Sequence, residues 1–119
     1  MQLSTEPINK NLEKQLSDML YGTLAEIESP VLIKTIVEDI LTESERVTLI
    51  KRLGIALYLD KGRNYDDIKN NIKVSSATIA TVASSIGGSG WQEIIRRIKA
   101  DEWASAWSKK ISSGLRRFF

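Results

Sequence analysis

The chain contains neither cysteine nor histidine, and only two prolines, in 119 residues. Without cysteine there is no disulfide and no thiolate metal site. Without histidine the commonest general base and the commonest metal ligand are both missing. The usual hydrolytic and zinc chemistries are thereby excluded, and no convergent set of catalytic side chains can be named. The expectation is a protein that is not an enzyme and needs no metal or cofactor. Long apolar runs are lacking too: no stretch approaches the roughly 18 uninterrupted apolar residues of a membrane span. The N-terminus has no basic segment followed by an apolar core. A soluble, cytoplasmic protein with no membrane contact is expected.

What is present is ordinary in amount but uneven in placement. Apolar residues make up 42% and charged residues 27%, enough for one domain with a modest core. Through Glu45, nine acids face only Lys10, Lys14 and Lys34; from Arg46 onward the bases outnumber the acids by eight. Such a split suggests that one end of the molecule meets a polyanion.

Residues 1–7 read as a flexible N-terminal tail, residues 8–100 as a helical domain and residues 101–119 as an amphipathic C-terminal helix or tail. Leu12, Leu16, Met19, Leu20, Leu24 and Ile27 follow helical spacing along one face. Ser29-Pro30 ends that helix and opens another, since serine caps and proline suits the first position. The second helix (Val31, Leu32, Ile33, Ile36, Val37, Ile40, Leu41) is apolar nearly all round, so it must be covered on several sides. In so small a chain a second subunit is the simplest cover. Thr42 and Glu45 form a capping box for a third helix through Leu49, Leu53, Ala56 and Leu57, which stops at Gly62. Gly54, inside it, suggests a close approach of another backbone. A later helix, capped by Ser89-Gly90-Trp91-Gln92, carries Trp91, Ile94, Ile95 and Ile98. Beyond it the apolar stripe jumps to Trp103, Trp107 and Ile111, which predicts a break near Ala100-Asp101 with Asp101 as a new cap.

Between these lies a helix-turn-helix at residues 65–86. Two short helices joined by a tight turn need a fixed set of buried contacts. Ile68, Ile72, Val74, Ile79 and Val82 supply all five as aliphatic residues, with Ala83 as a small neighbour. Ser75 is placed to cap the second helix, its oxygen accepting from the amide of Ala77 or Thr78. That puts Ser75, Ser76, Ala77 and Thr78 at the end which enters the major groove in this motif, with Thr81 one turn further on. Serine and threonine hydroxyls bond phosphates or base edges, and the methyls of Ala77 or threonine meet thymine methyls. Lys69 and Lys73 flank the helix as phosphate contacts. Two positions depart from the usual pattern: Lys73 stands where a turn glycine is common, and Lys69 where alanine is.

Leu41-Thr42-Glu43-Ser44-Glu45-Arg46, Lys51-Arg52-Leu53, the helix ending at Gly62, Tyr65-Asp66-Asp67-Ile68 and Val74-Ser75-Ser76-Ala77-Thr78-Ile79 together resemble the tryptophan-repressor superfamily. The Arg-Leu, Tyr-x-x-Ile and Ser-x-Ala-Thr-Ile elements are most similar to its branch often labelled YerC/YecD. The resemblance covers roughly residues 33–98. It implies an all-α, TrpR-like multi-helix bundle with a helix-turn-helix, expected as an intertwined homodimer. Two helix-turn-helix heads would then meet successive major grooves of a roughly palindromic double-stranded DNA site, about one helical turn apart. The implied function is sequence-specific transcriptional regulation, with repression as the output.

The resemblance also raises the question of a co-repressor. In the tryptophan repressor an arginine of the central helix binds the ligand's carboxylate, and that position matches Arg52. The second arginine, which stacks on the indole, matches Thr81; the small glycine beside it matches Val82; a serine that helps hold the amino group matches Ser85. With half the clamp missing and the pocket partly filled, the resemblance does not extend to a complete tryptophan site. Arg52 and Ser85 remain possible ligand contacts, but the preferred reading of Arg52 is an ion-pair partner for a carboxylate of the first half. The tail, with Trp103, Trp107, Ile111 and Leu115 beside Lys109, Lys110, Arg116 and Arg117 and ending in Phe118-Phe119, suits a docked helix, a protein-partner surface or a DNA-backbone contact. An alternative to DNA binding is a protein-interaction module that keeps the fold without DNA readout. The acidic Asp66-Asp67 pair and the two off-pattern positions favour that alternative.

Overall fold

The computed structural model describes residues 5–116, with side chains to residue 102. These residues form six helices and no strand: α1 (Lys10–Glu26), α2 (Pro30–Ile40), α3 (Glu43–Asp60), α4 (Tyr65–Ile72), α5 (Ser76–Ser85) and α6 (Ser89–Arg116). The protein is all-α. It divides into two compact units, Met1–Arg46 and Val47–Phe119, with α3 running across the boundary. No helix among the described residues is long and apolar enough to cross a membrane.

In the first unit the helix ends are set by side-chain caps. Asn9 Oδ1 accepts from the amides of Asn11 and Leu12 at 2.9 and 3.2 Å, opening α1. Ser29 Oγ accepts from the Leu32 amide at 3.2 Å, and Pro30 takes the first position of α2, where its missing N–H costs nothing. The capping box at the start of α3 forms as the sequence requires. Glu45 Oε1 accepts from the Thr42 amide at 2.9 Å, while the Glu45 amide donates to Thr42 Oγ1 at 3.2 Å. The Thr42 amide first, and its hydroxyl second, hold the Glu45 carboxyl below its ordinary range.

Neither α1 nor α2 has a buried residue. Leu16, Met19, Val31 and Ile40 are 49, 65, 76 and 59% exposed. The burial expected for α2 is therefore not met within one chain. An apolar helix left in water forfeits roughly 25 cal/mol per Å² of the surface it exposes, so these faces are built to be covered.

The second unit holds the core: Ile55 and Ala56 of α3, Ile68 of α4, Ile79 and Val82 of α5, and Ile95 of α6. Leu57, Ile72, Val74 and Trp91 pack around it, half-buried. Helix α3 ends as Gly62 adopts φ +76°, with the Arg63 amide reaching the Tyr58 carbonyl and the Gly62 amide the Leu59 carbonyl, each at 3.0 Å. Gly54 allows a close approach, but the neighbour is a side chain and not a backbone. A Cβ there would lie 2.9 Å from Ile72 Cδ1.

Helix α6 departs from the sequence reading at both ends of the region in question. Ser89 is its first residue, and the Gly88 carbonyl accepts the Gln92 amide at 3.0 Å. Gln92 does not close a box on Ser89; its Nε2 reaches back to the Ile86 carbonyl at 2.7 Å and ties α6 to the end of α5. The helix also passes through Ala100-Asp101 without a break. The jump of the apolar stripe marks a change in which face is apolar, and nothing there removes a backbone donor or forces a turn. Asp101 is thus an interior helical residue. The ion pairs Lys99–Asp60 (2.7 Å) and Lys61–Glu102 (3.9 Å) fasten this stretch to the end of α3. The side chains of Trp103, Trp107, Lys109, Lys110, Ile111, Leu115 and Arg116 lie outside those described, and Arg117, Phe118 and Phe119 outside the described residues.

On the outer face of α6, Glu93 is gripped by Arg96 Nη2 at 2.6 Å and Arg97 Nε at 2.8 Å. These bonds, Arg96 first, hold its carboxyl down at about 2. A depressed folded-state value means that any stabilisation is present above the ordinary value of 4.5 and fades as pH falls through about 2. Carboxyl-detected NMR titration is expected to find the Glu93 midpoint near 2, rising toward the ordinary range in R96Q/R97Q. A wild-type midpoint near 4.5 would show that the grip does not form in solution.

Candidate nucleic-acid interface

Helices α4 and α5 meet as the spacing of their aliphatic residues dictates. Ile68 and Ile79 are fully buried and Val82 nearly so, whereas Ile72 and Val74 are half-buried. Ala83 is half-buried beside them. With its core side committed, α5 leaves Ser76, Ala77, Ala80, Thr81 and Ser84 in solvent.

The start of each helix is fixed by a side-chain cap. Asn64 Oδ1 accepts from the Asp67 amide at 2.8 Å, opening α4. Ser75 Oγ accepts from the Thr78 amide at 3.2 Å and lies 3.0 Å from Thr78 Oγ1, opening α5. Ser75 and Thr78 are therefore engaged with each other at the tip. The amides of the first turn of α5 give that end a positive partial charge suited to phosphate.

The turn uses Lys73 in the left-handed conformation, φ 64° and ψ 59°, where glycine would be unstrained. Its amide donates to the Lys69 carbonyl at 3.0 Å. Its own carbonyl accepts from Lys51 Nζ at 2.9 Å. Lys51, on α3, thus latches the turn that sets the direction of α5. In the sequence Lys51 stands out only through the family resemblance, because a bond across 22 residues leaves no periodic trace. Lys73→Gly is expected to raise stability by roughly 0.5 kcal/mol, the relief of left-handed strain less glycine's extra unfolded-state entropy. Thermal melts of the variant beside the parent check the sign.

Both Lys69 and Lys73 are exposed, Lys69 in the last turn of α4 and Lys73 at its C-cap, in the turn that leads into α5. The acidic pair is less hostile to a polyanion than its sequence implies. Asp67 is bound by Arg63 Nη1 at 2.7 Å and by Asn71 Nδ2 at 2.8 Å. The Arg63 guanidinium also lies 5.4 Å from the centre of the Tyr58 ring, and Asp67 raises its pKa. Asp66 stands in the first turn of α4, where a negative charge suits the helix end.

Thr81 Oγ1 donates to the Ala77 carbonyl at 3.0 Å and Ser85 Oγ to the Val82 carbonyl at 3.1 Å, so both hydroxyl protons are spent inside α5. Arg52, on α3, is exposed. No cluster of acidic side chains suited to a metal ion occurs among the described residues. An open apolar groove of about 610 Å³ lies along α3 and the start of α6, lined by Leu49, Ile50, Leu53, Gly88, Gly90, Trp91 and Ile94. It offers almost nothing to hold a polar ligand.

No curated protein and no solved structure matches the chain. A family model does, that of the Trp repressor protein, over residues 14–99. The match takes in α2 to α5, most of α1 and the first part of α6, with the capped α4–α5 pair inside it. Covering well over half of the sequence, it shows that the chain belongs to the Trp repressor protein family, a family of DNA-binding transcription regulators.

Proposed function

We propose that the protein binds double-stranded DNA in a sequence-specific manner as a homodimer and regulates transcription, with repression as its output. One observation carries this reading. Helix α5 buries Ile79 and Val82 against the core and keeps a capped N-terminal face of small side chains in solvent, with the exposed Lys69 and Lys73 just ahead of it in the chain. A helix so held suits a major groove, the lysines suit the phosphates beside it, and a bound dimer blocks a promoter by occupancy alone.

The unburied faces of α1 and α2 and the apolar groove on α3 and α6 support the homodimer. Two symmetry-related heads call for a roughly palindromic site. Within the family, Arg52-Leu53, Tyr65 with Ile68, and Ser75 with Ala77-Thr78-Ile79 favour the YerC/YecD branch. Thr81 and Val82 in place of the stacking arginine and its small neighbour support a regulator without a complete tryptophan co-repressor site. A DNA target implies a cytoplasmic protein.

Selection from a randomised duplex pool at low salt tests the reading. Recovery of a consensus with two inverted half-sites is expected. Affinity should fall steeply with added salt and stay unchanged by added tryptophan. Recovery of no duplex would remove DNA binding, and a salt-dependent binder with no consensus would remove its sequence specificity.

A further inference from the structure

The solvent side of α5 is unusual for a DNA-reading helix in what it omits. Ser76, Ala77, Ala80, Thr81, Ser84 and Ser85 are its exposed residues. None is an arginine, lysine, asparagine or glutamine. The helix therefore has no side chain for the two-point contacts by which guanine and adenine edges are usually recognised.

Most of its hydroxyls are also committed. Thr81 Oγ1 donates to the Ala77 carbonyl at 3.0 Å, Ser84 Oγ to the Thr81 carbonyl at 2.8 Å, and Ser85 Oγ to the Val82 carbonyl at 3.1 Å. Ser75 and Thr78 share a bond of 3.0 Å at the cap. A hydroxyl whose proton is spent on its own helix cannot also donate it to a base. What α5 presents instead is methyl groups. Ala77, Ala80, Thr81 and Ser84 recur at helical spacing and share one face, the first three each carrying a methyl. The apolar feature that a major groove offers such a face is the C5-methyl of thymine.

We infer that α5 selects its half-site by methyl–methyl contact, so that the base pairs beneath Ala77, Ala80 and Thr81 carry thymine. The inference rests on the DNA-binding reading above and adds the chemistry by which the sequence is read. Lys69 and Lys73 supply affinity through phosphates, and the methyl face supplies the discrimination.

The test uses the full chain and a duplex recovered by selection, with each thymine replaced in turn by deoxyuridine. That exchange removes one methyl and leaves every hydrogen-bonding group in place. At two or more positions per half-site an affinity loss of about fourfold is expected, the worth of one buried carbon. The salt slope should not change. In Ala77→Gly/Ala80→Gly the thymine-to-uracil ratio should collapse toward one at those positions. That ratio is measured within a single protein, so weaker binding or folding of the variant does not affect it. The uracil scan on the unaltered chain decides the matter even where the variant fails to fold. A half-site that binds equally well with uracil throughout overturns the methyl inference and leaves DNA binding intact. Recovery of no duplex overturns both.

Discussion

Charge reversal of Lys69 and Lys73 together is expected to weaken duplex binding on the order of a thousandfold at about 0.1 M salt. In the proposed dimer the pair would contribute four phosphate contacts, each worth a slope of about 0.9 in the logarithm of affinity against the logarithm of salt. The slope should therefore flatten by roughly 3 to 4. Both residues are exposed, and the turn's fastening uses the Lys73 backbone, not its side chain. Melting should accordingly shift by no more than about 0.5 kcal/mol in stability. Binding titrations at several salt concentrations, with thermal melts of the same samples, separate a lost contact from a lost fold. An unchanged slope would mean that the helix pair does not lie against DNA.

The largest effect on stability is expected from Ile79→Ala. Ile79 is fully buried, with Ile68 and Val82 in the same core cluster. Truncating a buried isoleucine to alanine costs about 2 to 5 kcal/mol through lost transfer energy and the cavity left behind. A small domain has roughly 5 to 15 kcal/mol in total. The melting temperature should fall by about 10 °C or more, and duplex binding with it, because α5 loses the contact that aims it. Thr81→Ala, on the exposed side of the same helix, should stay within about 0.5 kcal/mol of the parent. Denaturant unfolding of the two variants checks the contrast. Equal stability would place the core elsewhere.

Much of this was legible in the residues because the signals are local. Ser29-Pro30, Thr42 with Glu45, and Ser75 with Thr78 each act over three or four residues, and all form as their spacing requires. The five aliphatic positions of the α4–α5 pair were readable for the same reason. Lys73 as the left-handed residue was readable too, since the motif demands that conformation at that place.

What escaped was non-local or depended on direction. The bond from Lys51 to the Lys73 carbonyl, and the Gln92 side chain's choice of Ile86, depend on which atoms tertiary packing brings together. A small residue such as Gly54 says only that something is close, and does not distinguish a backbone from the Ile72 side chain found there. Helix α6 runs unbroken through Ala100-Asp101 because apolar periodicity records which side is buried and not where the backbone turns. The asymmetry of exposure is informative as well. Helix α1 carries one apolar face and α2 is apolar nearly all round, yet neither has a buried residue, so the sequence pattern and the single chain disagree. A second copy resolves that disagreement in the proposed account.

Hydroxyl-radical footprinting of the selected duplex tests the central claim most directly. Two protected patches on one face of the helix are expected, related by a two-fold axis and centred about 34 to 36 Å apart. A single patch, or protection spread evenly around the duplex, would contradict a pair of α5 helices reading adjacent major grooves.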